Sequence, residues 1–179
     1  MLLHTIVELA ANETPDELAV VFDDRRATFA ELHRRIDAMR RIIASMTEPG
    51  DRVFLVSDNH LDVVVALYAV PAEGAILAFG NTRSTPKELL GLIESTTPTL
   101  VIASPAQLDG LAGPLRQRSE RLERSEGAIG ILSIGGHHVA AAADLTDLLD
   151  HAAADESLAE LIERTDADRE IEEAACAWL

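Results

Sequence analysis

Gly135-Gly136-His137-His138 carries the only adjacent histidine pair in the chain, and a histidine pair beside a glycine turn invites a metal. Adjacent residues on extended backbone point to opposite sides, however, and no cysteine or carboxylate stands at ligand spacing, so no metal site is expected there. Asp58-Asn59-His60 follows an apolar run and would sit at the carboxyl edge of a parallel sheet, where open α/β sheets bind ligands. The same residues suit the start of a helix capped by Ser57, Asp58 or Asn59, and that plainer reading is preferred. Cys176, the sole cysteine, has no base near it and reads as a buried filler rather than a nucleophile. Arg34, Arg35, Arg40 and Arg41, with Asp37, form a mostly basic stripe that reads as a solvated helix face rather than an anion site. Neither G-x-G-x-x-G nor G-x-x-x-x-G-K-S/T follows a strand, and Gly130-Ile131-Leu132-Ser133-Ile134-Gly135 is not G-x-S-x-G. By residue chemistry alone the chain has no catalytic, cofactor-binding or metal-binding residue.

The elements that would position any site are clearest over residues 49–104. Val53-Phe54-Leu55-Val56-Ser57, Ala75-Ile76-Leu77-Ala78-Phe79 and Leu100-Val101-Ile102-Ala103-Ser104 are short and unalternated, as strands buried on both faces are. Residues 61–72 and 86–95 lie between them and are long enough for the crossover helices that parallel pairing needs. The expected fold is therefore α/β: a largely parallel sheet flanked by helices on both faces.

Upstream, residues 3–12 read as a short helix with Leu3, Ile6, Val7 and Ala10 on one side. Leu18-Ala19-Val20-Val21-Phe22, the turn Asp23-Asp24 and the return strand Arg25-Arg26-Ala27 predict a small N-terminal β-hairpin. Thr28-Phe29-Ala30-Glu31 is a capping box, and Phe29, Leu32, Ile36, Met39, Ile43 and Met46 continue from it at helical spacing. The helix at 61–72 is apolar on most sides, so it should be largely buried, and Pro71 should kink or end it. Thr85-Pro86-Lys87-Glu88 is a second capping box with proline at the first helical position, and Leu89, Leu92, Ile93 and Thr96 should face inward.

Beyond Ser104 the pattern weakens. Residues 105–115 suggest a short helix interrupted near Gly110 and Gly113, and residues 116–126 an exposed helix or loop. Residues 128–134 read as a strand at the sheet's edge, Gly135-Gly136 as a turn and residues 144–151 as helix. Residues 155–173 read as an acidic mixture of helix and loop, and Cys176-Ala177-Trp178-Leu179 as the opening of a strand cut short.

At 179 residues the chain can bury one core, and its apolar content is ordinary for a globular domain. The net charge is −16, and residues 144–173 hold twelve acids against Arg164 and Arg169. That field disfavours nucleic acid and anionic membranes as partners. No run approaches the length of a membrane span, the first residues do not resemble a signal peptide, and a single cysteine suits a reducing compartment. A cytoplasmic protein is the resulting expectation.

Residues 15–104 resemble the beginning of an adenylate-forming enzyme of the acyl-CoA synthetase and AMP-binding superfamily. The matching stretches are Ala19-Val20-Val21-Phe22, Thr28-Phe29-Ala30-Glu31-Leu32 and Pro49-Gly50-Asp51-Arg52-Val53. Asp58-Asn59-His60-Leu61-Asp62-Val63-Val64-Val65-Ala66-Leu67-Tyr68-Ala69-Val70 resembles the family's P-N-S-x-E-F-V-x-A-x-x-A-V helix. Asn81-Thr82-Arg83 with Thr85-Pro86-Lys87-Glu88-Leu89 resembles N-x-R-x-T-x-x-E-L. Departures occur at Pro71 and Glu73, where the family keeps helix formers, and at Phe79-Gly80-Asn81, which replaces a commoner P-x-N.

The resemblance implies residues 1–179 as the N-terminal subdomain of an ATP-dependent fatty acid–CoA ligase, with a core over 15–104. Such an enzyme joins a carboxylic acid to AMP with ATP and magnesium, then passes the acyl group to coenzyme A. Its phosphate loop, metal ligand, ribose-binding aspartate and mobile lysine would all lie downstream of Leu179, so none is carried over onto a residue here. The implied partners are the remainder of the enzyme, the acid substrate and, with apolar surface left uncovered, a second copy of the chain. The chain alone is then expected to be inactive. The rival expectation is a free-standing, non-catalytic α/β interaction module.

Overall fold

A computed structural model describes residues 3–122, 129–135, 143–146 and 149. Five parallel strands form the central sheet in the order β4-β3-β5-β6-β7: β3 Arg52–Val56, β4 Ile76–Phe79, β5 Leu100–Ala103, β6 Gly130–Ser133 and β7 Ala143–Asp144. Ahead of it stands the antiparallel hairpin of β1 Leu18–Phe22 and β2 Arg25–Thr28. Five helices complete the described chain: α1 Leu3–Glu13, α2 Phe29–Met46, α3 Leu61–Ala72, α4 Pro86–Thr96 and α5 Pro105–Leu122.

Two of the three unalternated strands, β3 and β5, do bury both faces, whereas β4, at the edge of the sheet, leaves Ile76 and Phe79 exposed. Val53, Leu55, Leu100 and Ile102 pack into one core with α1, α2 and α3, whereas Phe54, Val56, Val101 and Ala103 pack into a second with α4 and α5. Each large aliphatic side chain so removed from water contributes about 1.5–3 kcal/mol, which is why these few residues dominate the fold. The chain leaves β3 for α3 and β4 on one side, then crosses back to β5 and continues to β6 on the other. Ser57 and Ser104 therefore flank the point at which the direction of winding reverses, the crevice position in sheets of this type.

Both capping boxes form: Thr28 and Thr85 accept from the N3 amides, and Glu31 and Glu88 return to the cap amides. The Thr85 amide and hydroxyl hold the Glu88 carboxyl below its ordinary pKa. Pro71 acts by early termination, since α3 ends one residue later at Ala72 and the Ala75 amide turns back to the Val70 carbonyl. Thr97 closes α4 at φ 45°, a left-handed conformation costly for a β-branched residue. Arg52 ties that end down by donating to the Thr96 carbonyl and, at 2.8 Å, to the Thr97 hydroxyl.

Several expectations are corrected. α5 runs unbroken through Gly110, Gly113 and Pro114, because Leu108, Leu111 and Leu115 keep one face wholly buried. Gly110 is a contact point rather than a break: a Cβ there would lie 2.7 Å from Pro86 Cγ. β6 is an interior strand between β5 and β7, and Asp144, expected to begin a helix, instead ends β7, while Leu145, Thr146 and Leu149 are helical as expected. A two-residue strand is too short to show any hydrophobic period. Ile6 and Leu92 face outward, 46% and 42% exposed, since Val7 on α1 and Leu89 with Ile93 on α4 suffice to fill the space inside. The expectations for residues 155–173 and 176–179 lie outside the described residues.

Candidate functional site

The carboxyl ends of the strands carry the loop 57–60, the loop 80–85, Ser104 and Gly135, and one buried polar cluster joins three of the surrounding elements. Asp62, in the first turn of α3, is fully buried. Its Oδ1 accepts a 3.0 Å hydrogen bond from Arg35 Nη2 on α2, and its Oδ2 accepts one of 2.7 Å from Thr146 Oγ1, just after β7. The Gly135 amide, following β6, donates in turn to Thr146 Oγ1 at 3.0 Å. His60 caps α3: its Nδ1 accepts from the Asp62 amide at 3.2 Å, and the same nitrogen lies 3.3 Å from Asp62 Oδ2. The His60 ring stands edge-on to Phe22 of β1 at 6.0 Å.

Burial alone would push the Asp62 pKa up. A hydrogen bond from His60 when its Nδ1 carries a proton, the Arg35 guanidinium charge, and hydrogen bonds from Thr146 and Arg35 outweigh it and hold the carboxyl at about 2, below its ordinary 3.8. A buried carboxylate kept ionised in this way can fix the relative placement of α2, α3 and the segment after β7. It is poorly suited to take up a proton near neutral pH.

Two residues of the basic stripe thus have partners on α3 or at its end. Arg35 is 13% exposed and holds Asp62, while Arg40 donates to Glu73 at 2.6 Å and to Asp37 at 3.4 Å. The Glu73 bond, opposed by partial burial, is the main cause of a raised Arg40 pKa. Arg41 faces solvent and Arg34 is exposed. The cap of α3 is His60, not Ser57, Asp58 or Asn59: Asp58 and Asn59 are exposed, and Ser57 Oγ donates to the Asp58 carbonyl. His60 occupies the serine position of the N-S-x-E pattern and Asp62 its acid position, which is the signal that would have identified both. Nothing local foretold Arg35, which lies 27 positions away from Asp62. His137, His138 and Cys176 lie outside the described residues.

Elsewhere on the rim, Asn81 Oδ1 accepts from the Arg83 amide at 2.9 Å, and Gln107 Nε2 donates to the Thr82 carbonyl at 3.2 Å, joining the loop after β4 to α5. Ser104 Oγ is buried without a hydrogen-bond partner among the described residues. Among the described residues no three histidines, cysteines or carboxylates gather to hold a metal ion. Nor do the described loops after the strands form a glycine-rich turn bearing lysine. Among the described residues, no helix is long and apolar enough to cross a membrane.

Comparison with known proteins gives this scaffold a family. A CoA ligase of Rhodococcus jostii, named for a methyl-dioxo-octahydroindenyl propanoyl group, is 35% identical over 96 residues, covering 53% of this chain and 19% of that protein. The 2-succinylbenzoate–CoA ligase of a Geobacillus species is 30% identical over 104 residues, covering 58% of this chain and 21% of that protein. A Rhodopseudomonas palustris crystal structure described as a long-chain-fatty-acid CoA ligase superposes with a TM-score of 0.68 at 25% identity, covering 83% of this chain and 36% of that one. The chain thus spans about a fifth of the length of these two relatives and about a third of that structure. The AMP-binding enzyme model matches residues 7–175, nearly the whole sequence, and the chain belongs to the AMP-binding enzyme family.

Proposed function

We propose that the chain is the N-terminal α/β subdomain of an ATP-dependent acid–CoA ligase that activates a carboxylic acid as acyl-AMP and transfers it to coenzyme A. The observation carrying this reading is the AMP-binding enzyme match across residues 7–175, in a chain that spans only part of the length of its relatives. A fatty acid is the proposed substrate, supported by the fold shared with the Rhodopseudomonas palustris protein. ATP, magnesium and coenzyme A would be held by parts of the enzyme outside this chain, whose own role is architectural. Its rigid sheet would back the nucleotide-binding part and wall one side of the acyl pocket, and the enzyme would work in the cytoplasm. Exposed Ile76 and Phe79 on β4, 53% and 55% accessible, support association with another part of the enzyme or, in isolation, with a second copy.

Pyrophosphate release in the presence of ATP, magnesium and a panel of fatty acids tests the reading. No turnover is expected from the 179-residue chain, and turnover is expected once the downstream part of the gene is included. Turnover by the chain alone refutes the assignment, as does an inactive longer protein. Light scattering tests the self-association, which a monodisperse monomer refutes.

A further inference from the structure

The Asp62 amide and Asp62 Oδ2 approach the same atom, His60 Nδ1, at 3.2 and 3.3 Å. One ring nitrogen cannot serve both. With a lone pair it accepts from the amide and caps α3; with a proton it donates to the carboxylate and the amide loses its acceptor. We propose that His60 is a proton-operated cap, which holds the start of α3 by its lone pair at higher pH and by an ion pair with Asp62 at lower pH.

The surroundings suit the exchange. Imidazole changes charge within the range of about pH 5 to 8, and the ring is partly accessible, at 17%, so a proton can reach it. From α3, the Asp62 carboxylate faces the ring. From α2, the Arg35 guanidinium lies on the far side of that carboxylate, bonded to Asp62 Oδ1. From the segment after β7, Thr146 binds the Asp62 oxygen that His60 approaches, and it carries no charge. From β1, Phe22 presents an uncharged ring, with Asp23 and Asp24 exposed in the turn beyond it. Asp58, on the His60 loop itself, is also exposed. The exchange would alter the hold on the loop 57–60, beside the reversal point of the sheet, while leaving the Asp62 bonds to Arg35 and Thr146 in place.

The test is nitrogen-15 NMR of the 179-residue chain titrated from about pH 5 to 8, the range in which imidazole changes charge. As pH falls, His60 Nδ1 should pass from proton-free to protonated, and the Asp62 amide proton should shift, with the same midpoint, in the direction of a lost hydrogen bond. His60→Ser and His60→Asn, two strong capping residues that do not titrate, should both abolish the shift. A nitrogen that stays in one state across the range overturns the proposal. So does an Asp62 amide that ignores the His60 midpoint, or one that still titrates in either variant.

Discussion

Thr146 Oγ1 donates a 2.7 Å hydrogen bond to Asp62 Oδ2, joining residues 84 positions apart. Asp62 is pinned on its other oxygen by Arg35, so one carboxylate ties together α2, α3 and the segment that follows β7. Burying an ion pair costs desolvation, yet removing one partner costs more, because the remaining charge is left in a site built around its counter-ion.

Asp62→Ala should accordingly destabilise the chain by about 3–5 kcal/mol. Thr146→Val, which at nearly constant volume removes the hydroxyl that donates to Asp62 and accepts from the Gly135 amide, should cost about 1–3 kcal/mol. Urea unfolding of both variants measures this. A loss in Asp62→Ala no greater than in Thr146→Val would show that the carboxylate is a bystander.

The same carboxyl sets an acid limit. Its pKa is depressed in the fold, to about 2 from an ordinary 3.8, so its contribution to stability is fully present above 3.8 and is lost as pH falls through 2. The amount at stake is about 2 kcal/mol. Asp62→Asn should be less stable than the natural chain at about pH 5, and the difference should narrow between about pH 4 and about pH 2. Thermal unfolding across that range checks it; a difference independent of pH would place the titrating group elsewhere.

The contrast between strands and cluster shows what a sequence makes legible. The runs around Phe54 and Val101 announce strands covered on both faces because four consecutive residues in each, Val53 to Val56 and Leu100 to Ala103, are apolar. The capping boxes at Thr28 and Thr85 announce helix starts because each is complete within four residues. Arg35 is different: by spacing it belongs to a polar stripe, and only the packing of α2 on α3 brings it to Asp62. Glycine misled in the same way at α5, where a local penalty at Gly110 and Gly113 is outweighed by the buried leucines. Short-range chemistry is readable along the chain, and pairings set by the approach of two helices are not.

Ser104 Oγ is buried with no hydrogen-bond partner among the described residues, although the unfolded chain hydrates it. Ser104→Ala removes that penalty, so it should be neutral or stabilise by about 1–3 kcal/mol. Equilibrium unfolding reads the sign, and a clear loss of stability would reveal a hydrogen bond that the folded chain makes in solution.

Two helical glycines should respond oppositely to one substitution. Gly91 in α4 has open space where a Cβ would stand, so Gly91→Ala should stabilise by about 0.8–1.0 kcal/mol through helix propensity alone. Gly110 in α5 enjoys the same propensity gain, but its Cβ would meet Pro86 Cγ at 2.7 Å and Cβ at 3.0 Å. Pro86 opens α4 and its ring is bonded at both ends to the backbone, so it cannot swing aside as a flexible side chain would. Separating α4 from α5 to make room disturbs the core that Leu89 shares with Leu108 and Leu111, and overpacking of this kind costs about 1–3 kcal/mol. Gly110→Ala should therefore lower the melting temperature while Gly91→Ala raises it. If both raise it, the close approach of the two helices at Pro86 is not a feature of the folded chain.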